Sequence, residues 1–221
     1  TSADAERYQQ SYRAAILAIG AAGPYPDLTG APSISVKLSA LHPRYERAKR
    51  ARVLAELTPR VLELAQLARA QGIPMTIDAE EADRLELSLE IIARVHNDVS
   101  LAGWDGFGLA VQAYQKRALG VIDWLADVAR KAGRRLNVRL VKGAYWDSEV
   151  KRAQIDGLSG YPVFTRKANT DLSYLACARR LLSHGEVFYP QFATHNAHTI
   201  AAIYHFAEGK PFEFQRLHGM G

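Results

Sequence analysis

Six short β-like segments alternate with longer helical patterns along this chain, and that alternation constrains the fold more than any other feature. The segments are SISVKLS (33–39), MTIDAE (75–80), GFGLAVQAY (106–114), LNVRLVK (136–142), VFYPQFATH (187–195) and FEFQRLH (212–218). Between them, VLAELTPRVLELAQLARAQG carries apolar residues at helical spacing and stops at Gly72. DRLELSLEIIARVHN opens on Asp83, a residue suited to an N-cap. VIDWLADVARKAG and DLSYLACARRLLSHG each end at a glycine, and NAHTIAAIYHFAEG runs from an asparagine cap to another. Strands separated by helices pair in parallel, because a parallel crossover needs about a dozen residues or more. There is no Asn-Gly turn and no tight hairpin signal. Two α/β architectures satisfy these constraints, an open doubly wound sheet and a (β/α)8 barrel. No G-x-G-x-x-G opens a helix, which counts against a dinucleotide-binding sheet. The stretch IDGLSGYPVFTRKANT (155–170) is the longest irregular one and therefore a candidate binding loop.

Composition excludes several classes. Of 221 residues, 48% are hydrophobic and 23% charged, which is globular rather than disordered. Cys177 is the single cysteine, so no internal disulfide forms, as in a reducing compartment. It lies on the apolar side of a helical pattern and reads as core filler. No apolar run approaches the ~18 residues of a membrane span, and the N-terminus lacks a secretory apolar region, so a cytoplasmic location is the default. The net charge of +5 invites a nucleic-acid reading. The basic residues of HPRYERAKRAR, ARKAGRR and RLVKG lie far apart, however, and no nucleic-acid motif accompanies them. ERAKRAR reads as the solvated start of a helix.

The phase of the polar residues carries the functional reading. Side chains alternate faces along a strand. Ile34, Val36 and Leu38 share one face, Ser35 and Lys37 the other. Thr76 and Asp78 oppose Met75, Ile77 and Ala79; Gln112 opposes Leu109 and Val111; Arg139 opposes Val138 and Leu140. Four strands thus place one long polar group, at or past mid-strand, opposite the aliphatic stripe. In a barrel that face points inward, and polar groups at the C-terminal ends of strands form the active site. Lys37, Arg139 and Lys142 then face an anion, with Asp78 as a partner or base. Gln112 suits the edge of a flat heterocycle that offers both a donor and an acceptor. Gly143 in GAYW permits close backbone approach. His195 and His218 end later strands, and each alone is more often structural than catalytic. The spacing of His195, His198 and His205 makes no zinc motif, and no metal is expected.

Beyond these patterns, SISVKLSALHPRY, IDAEEADRLE, AVQAYQKR, RLVKGAYWDSEVKRAQ, GYPVFTRK, YPQFATHNAHT and FQRLHGMG resemble the proline dehydrogenase domain of the bifunctional proline utilisation A flavoproteins. The resemblance implies a (β/α)8 barrel with non-covalent FAD that oxidises L-proline to Δ1-pyrroline-5-carboxylate. It implies catalytic roles for Lys37, Asp78, Tyr145 and Arg139, and a substrate side of Lys37, Asp78, Tyr145 and Leu217. Its cofactor set is Gln112, Arg139, Val141, Lys142, Gly143, Trp146, Thr165, Arg166, Lys167, Thr194, His195 and Asn196. It further implies a quinone-type electron acceptor, an aldehyde dehydrogenase domain fused in the full-length protein, and peripheral association with the inner face of the membrane. The family's two carboxylate-binding arginines lie in a final helical block resembling RRLLENGAN, which this chain lacks. Six strands are counted where a closed barrel has eight, so residues 1–221 read as a barrel domain without its first strand and its last helix/strand unit. Two rival readings keep separate chemistry: a Schiff-base aldolase using a strand-borne lysine such as Lys37 or Lys142, and a non-catalytic flavin- or nucleic-acid-binding module.

Overall fold

The computed structural model describes residues 1–219 and contains all six expected strands. They are β1 Ile34–Val36, β2 Met75–Ile77, β3 Phe107–Gln112, β4 Leu136–Val141, β5 Phe188–Ala193 and β6 Glu213–Gln215. The helices are α1 Ser2–Ala21, α2 Leu38–Leu41, α3 Arg50–Ala70, α4 Leu85–His96, α5 Ala118–Ala132, α6 Trp146–Ile155, α7 Lys167–Ser183 and α8 Ala197–Ala207. The strand order is β1-β2-β3-β4-β5-β6, with β1–β2, β2–β3 and β5–β6 paired in parallel. This is the sequential strand order of a (β/α)8 barrel, with six of its eight strands.

The chain divides into two compact units. The first comprises Thr1–Leu109 with Lys131–Leu136. Its main helix, α3, buries Val53, Leu57, Val61, Leu64, Ala65 and Ala68, the one-sided stripe that its sequence spacing predicts. The helix runs through Pro59, whose missing N–H and ring clash cost about 3 kcal/mol in a helix interior. Burial of that apolar stripe outweighs the defect. The basic start of α3 is solvated and tied to acids: Arg50 holds Glu90 through two hydrogen bonds, and Arg52 holds Glu56 one turn on. One expectation is corrected. Asp83 does not cap α4; a 3-10 turn over Ala82–Arg84 precedes the helix, and Arg84 occupies the cap position without a side-chain cap bond. Two carboxylates from the preceding turn, Glu80 and Glu81, hold the Arg84 guanidinium at 3.1 and 3.0 Å.

The second unit comprises Ala110–Arg130 and the chain from Asn137 onward. Val138 and Leu140 are fully buried while Arg139 and Val141 are half-buried, the alternation expected of β4. The asparagine cap of α8 forms as expected, with Asn196 Oδ1 accepting from the Thr199 N–H. Cys177 is buried on α7, and burial pushes its thiol up to about 11, the state of an inert packing residue. Tyr174, one turn earlier, places its hydroxyl 3.2 Å from the Leu140 carbonyl and 3.1 Å from that of Ala193. A helix side chain thereby ties the ends of β4 and β5. Among the described residues no helix is long and apolar enough to cross a membrane.

Candidate active site

In the first unit, β1 and β2 pair residue by residue up to Val36 opposite Ile77. Lys37 and Asp78 each follow immediately, so parallel pairing sets both at the same strand ends. They lie one residue beyond the strands rather than within them. β1 gives way to α2 at once, and Lys37 takes its N-cap position in an extended conformation. The Asp78 N–H donates to the Val36 carbonyl at 2.9 Å, and the Lys37 N–H donates to the Tyr12 hydroxyl at 3.1 Å. Lys37 is exposed and Asp78 half-buried.

The second unit gathers the cofactor candidates at its own strand ends. Gln112 ends β3 and is only 4% exposed. Its Oε1 accepts from Gln115 Nε2 at 2.8 Å, which leaves its own NH2 to donate. Gln115 Oε1 in turn is buried without a partner. Beyond β3 the backbone continues against the next strand end, with the Ala113 N–H on Val141 O and the Tyr114 N–H on Lys142 O, both 2.8 Å. Gly143 has φ +136°, and a Cβ there would meet the Tyr114 ring at 2.5 Å. Only glycine fits this approach of backbone to ring.

Lys142 and Lys167 share one carboxylate. Asp171 Oδ1 accepts from Lys142 Nζ and Oδ2 from Lys167 Nζ, each at 2.5 Å. The two ammoniums hold the Asp171 carboxyl below its usual range. Thr165, Arg166 and Lys167 are exposed where α7 begins, and a helix start is partially positive. Trp146 opens α6 and donates from Nε1 to the Phe164 carbonyl at 2.9 Å. That contact, with the Phe164 N–H on Tyr114 O at 2.8 Å and the Lys116 N–H on Pro162 O at 3.0 Å, pins the irregular stretch along residues 114–116. Thr194 N–H donates to Gln215 O, and Thr194 Oγ1 accepts from the Asn196 N–H, both at 3.1 Å. His195 Nε2 accepts from the Leu217 N–H at 3.2 Å, so a neutral ring carries its proton on Nδ1. Leu217 itself is largely exposed. Tyr145 is half-buried at the cap of α6.

The model of the proline dehydrogenase family matches residues 1–221. The bifunctional protein PutA of Salmonella typhimurium is 58% identical over the whole chain, which spans 17% of that protein's length. The chain belongs to the proline dehydrogenase family. A solved structure of proline utilization A from Bradyrhizobium japonicum superposes with a TM-score of 0.98 at 62% identity, covering all of this chain and 23% of that one. Proline utilization A of Bdellovibrio bacteriovorus gives a TM-score of 0.93 at 30% identity, again over the whole chain and 24% of the other. The chain therefore spans less than a quarter of the length of these relatives. Proline dehydrogenases as a family are flavoenzymes.

The donor set of the second unit fits such a group. An anionic phosphate suits the lysines and the start of α7. The free NH2 of buried Gln112, beside the orphaned oxygen of Gln115, suits a flat ring edge with its own donors and acceptors. Three polar residues escaped the sequence reading. Asp171 had a local signal, the four-residue spacing from Lys167. Tyr174 had none, since its partners come from distant segments, and the four-residue spacing from Glu80 to Arg84 does not disclose the bond of Glu80 to the Ser39 N–H.

Proposed function

We propose that this chain is the FAD-dependent proline dehydrogenase part of a larger bifunctional protein, oxidising L-proline to Δ1-pyrroline-5-carboxylate. The observation that carries the reading is the family match over the entire chain together with charged and amide groups set at consecutive strand ends. The oxidation removes a hydride from proline C5 and a proton from its ring nitrogen. When bound, the flavin supplies the hydride acceptor. The chain's own task is to hold and orient the substrate and to keep water out.

Lys37 is assigned to the proline carboxylate, with Asp78 beside it as a charge partner. Tyr145 and Leu217 pack the substrate ring. Arg139 offsets negative charge on the reduced ring system, and Gln112 donates to its edge. Lys142, with the backbone of Val141 and Gly143, lines the ribityl and phosphate side. Trp146, Thr165, Arg166, Lys167, Thr194, His195 and Asn196 complete the cofactor contacts. The same reading makes residues 1–221 one part of a barrel domain completed elsewhere in the protein, which is fused to an aldehyde dehydrogenase domain. It passes electrons to a quinone-type acceptor and works in the cytoplasm, at or near the inner face of the membrane. The small share of its relatives' length that the chain spans supports a larger whole.

The test is spectroscopic. Full-length protein should purify yellow and bleach when proline is added without oxygen. Colourless protein, trapped by borohydride on a carbonyl substrate, would replace this reading with an aldolase.

A further inference from the structure

Lys37 occupies the N-cap position of α2, and a lysine cannot cap. Its ammonium has donors only, whereas the free N–H groups of a helix start need an acceptor. The acceptor comes from another segment. Glu80 Oε1 takes the Ser39 N–H at 3.0 Å, and Ser39 is the second residue of α2. That is the N–H an ordinary cap side chain would satisfy. The Glu80 side chain is only 6% exposed, and Arg84 Nη1 balances its charge at 3.1 Å from Oε2. Arg84 is itself fixed, 3.0 Å from Glu81 Oε2 and 5.4 Å above the ring of buried Tyr45. Burial pushes the Tyr45 phenol up, and the nearby Glu80 charge adds to that.

β1 has three residues and α2 four, too little regular structure to fix Lys37 from within. Neighbouring segments do it instead: Asp78 grips the Val36 carbonyl, Tyr12 the Lys37 N–H and Glu80 the Ser39 N–H. We infer that Glu80 is a positioning residue that caps α2 from outside and so aims Lys37 at its anionic partner. The inference rests on the reading of Lys37 as the holder of the proline carboxylate. It extends that reading to a residue that touches neither substrate nor flavin.

The test uses the full-length, flavin-loaded protein with Lys37→Ala, Glu80→Ala, Glu80→Gln and the double variant Lys37→Ala/Glu80→Ala. The probe is tetrahydrofuroate, a cyclic carboxylate shaped like proline, and its Kd is read from the flavin spectrum beside flavin content, KM and kcat. Losing the charge-assisted cap should raise that Kd and the proline KM roughly tenfold in Glu80→Ala, with flavin content retained. Glu80→Gln keeps an acceptor for Ser39 and should rescue most of the loss, to within roughly threefold of the parent. In the Lys37→Ala background, removal of Glu80 should change the Kd by less than about twofold, because there is nothing left to aim. Equal effects in both backgrounds would reduce Glu80 to a general structural role and overturn the inference. So would an unchanged Kd in Glu80→Ala when Lys37→Ala weakens binding. An unchanged Kd in Lys37→Ala would sink the reading of Lys37 and this inference with it. Should Glu80→Ala fail to fold, Glu80→Met, which keeps the side-chain volume without the acceptor, replaces it alone and with Lys37→Ala in the same comparison of backgrounds.

Discussion

In each unit a carboxylate near the candidate residues gathers donors around itself, Glu80 in the first and Asp171 in the second, and the two do so in opposite surroundings. The Glu80 side chain is 6% exposed and grips a backbone N–H and a guanidinium. The Asp171 side chain is 37% exposed and grips two flexible ammoniums. A buried carboxylate persists only with its partners in good geometry, so it fixes positions. A half-exposed one contributes a field that salt and solvent weaken. The substrate candidates of the first unit are therefore held by geometry. The lysines of the second are held by charge, and its rigidity resides in backbone contacts such as that at Gly143.

The sharpest way to break this comparison is Gly143→Ala. A side chain at φ +136° is strained by ~1–3 kcal/mol before any contact is counted, and the Tyr114 ring would have to move as well. A loss above ~3 kcal/mol in thermal unfolding, with loss of flavin, is expected. A stable, yellow variant would show that the backbone of the second unit yields. Next in size is Arg139→Met. A cation set against developing charge is commonly worth ~3 kcal/mol in a transition state. The flavin reduction potential should fall and anaerobic bleaching by proline should slow; an unchanged potential would take Arg139 away from the flavin.

His96 probes the interior of the first unit. It is fully buried and stacked on Phe107. Burial, then the Arg134 charge, push it down to about 4. The unfolded chain takes up a proton near pH 6.5 that the folded chain refuses, so stability should fall as pH drops from 6.5 toward 4. Up to ~3 kcal/mol is at stake, and His96→Phe should flatten that part of a pH series of unfolding midpoints. Lys37→Ala should weaken proline and tetrahydrofuroate by about 1.5–3 kcal/mol while flavin content stays near normal. Loss of flavin with unchanged inhibitor affinity would move Lys37 to the cofactor side.

The smallest effect belongs to Asp171→Asn. Exposed ion pairs contribute below ~1 kcal/mol, and less at high salt. Its folded carboxyl sits below the usual range, so its contribution is complete above the unfolded value near 4 and is lost as pH falls through the folded one. A salt-independent loss beyond that size would make Asp171 resemble Glu80 and erase the contrast.

What the sequence disclosed follows the range of the interactions. The alternation of Val138, Arg139 and Leu140 is a local pattern, and the burial of β4 repeats it. So is the Asn196 cap. By contrast, DAEEADR gives no reason to prefer Glu80 to Glu81, because the choice is made by Ser39, 41 residues away. The same holds at Asp83, which has the chemistry of a cap but loses the position to the turn that Arg84 anchors. Lys37 was legible as a polar group at a strand end. That it stands at a helix start it cannot satisfy was not, since three residues of strand and four of helix carry too little periodicity to separate.

The Tyr174 hydroxyl has one proton and two carbonyls within reach. A phenol ring has a fixed length, so it works as a gauge block: the height of α7 over the ends of β4 and β5 is set by covalent dimensions rather than by side-chain flexibility. Asp171 stands one turn before Tyr174 on the same helix and inherits that height. Its carboxylate therefore meets Lys142, just past β4, without searching. Sliding α7 by a single residue would advance it ~1.5 Å and break both carbonyl contacts together. The helix and the two strand ends are thereby tied together, and an insertion between Lys142 and Tyr174 has to be taken up in the irregular segments 143–145 or 156–166.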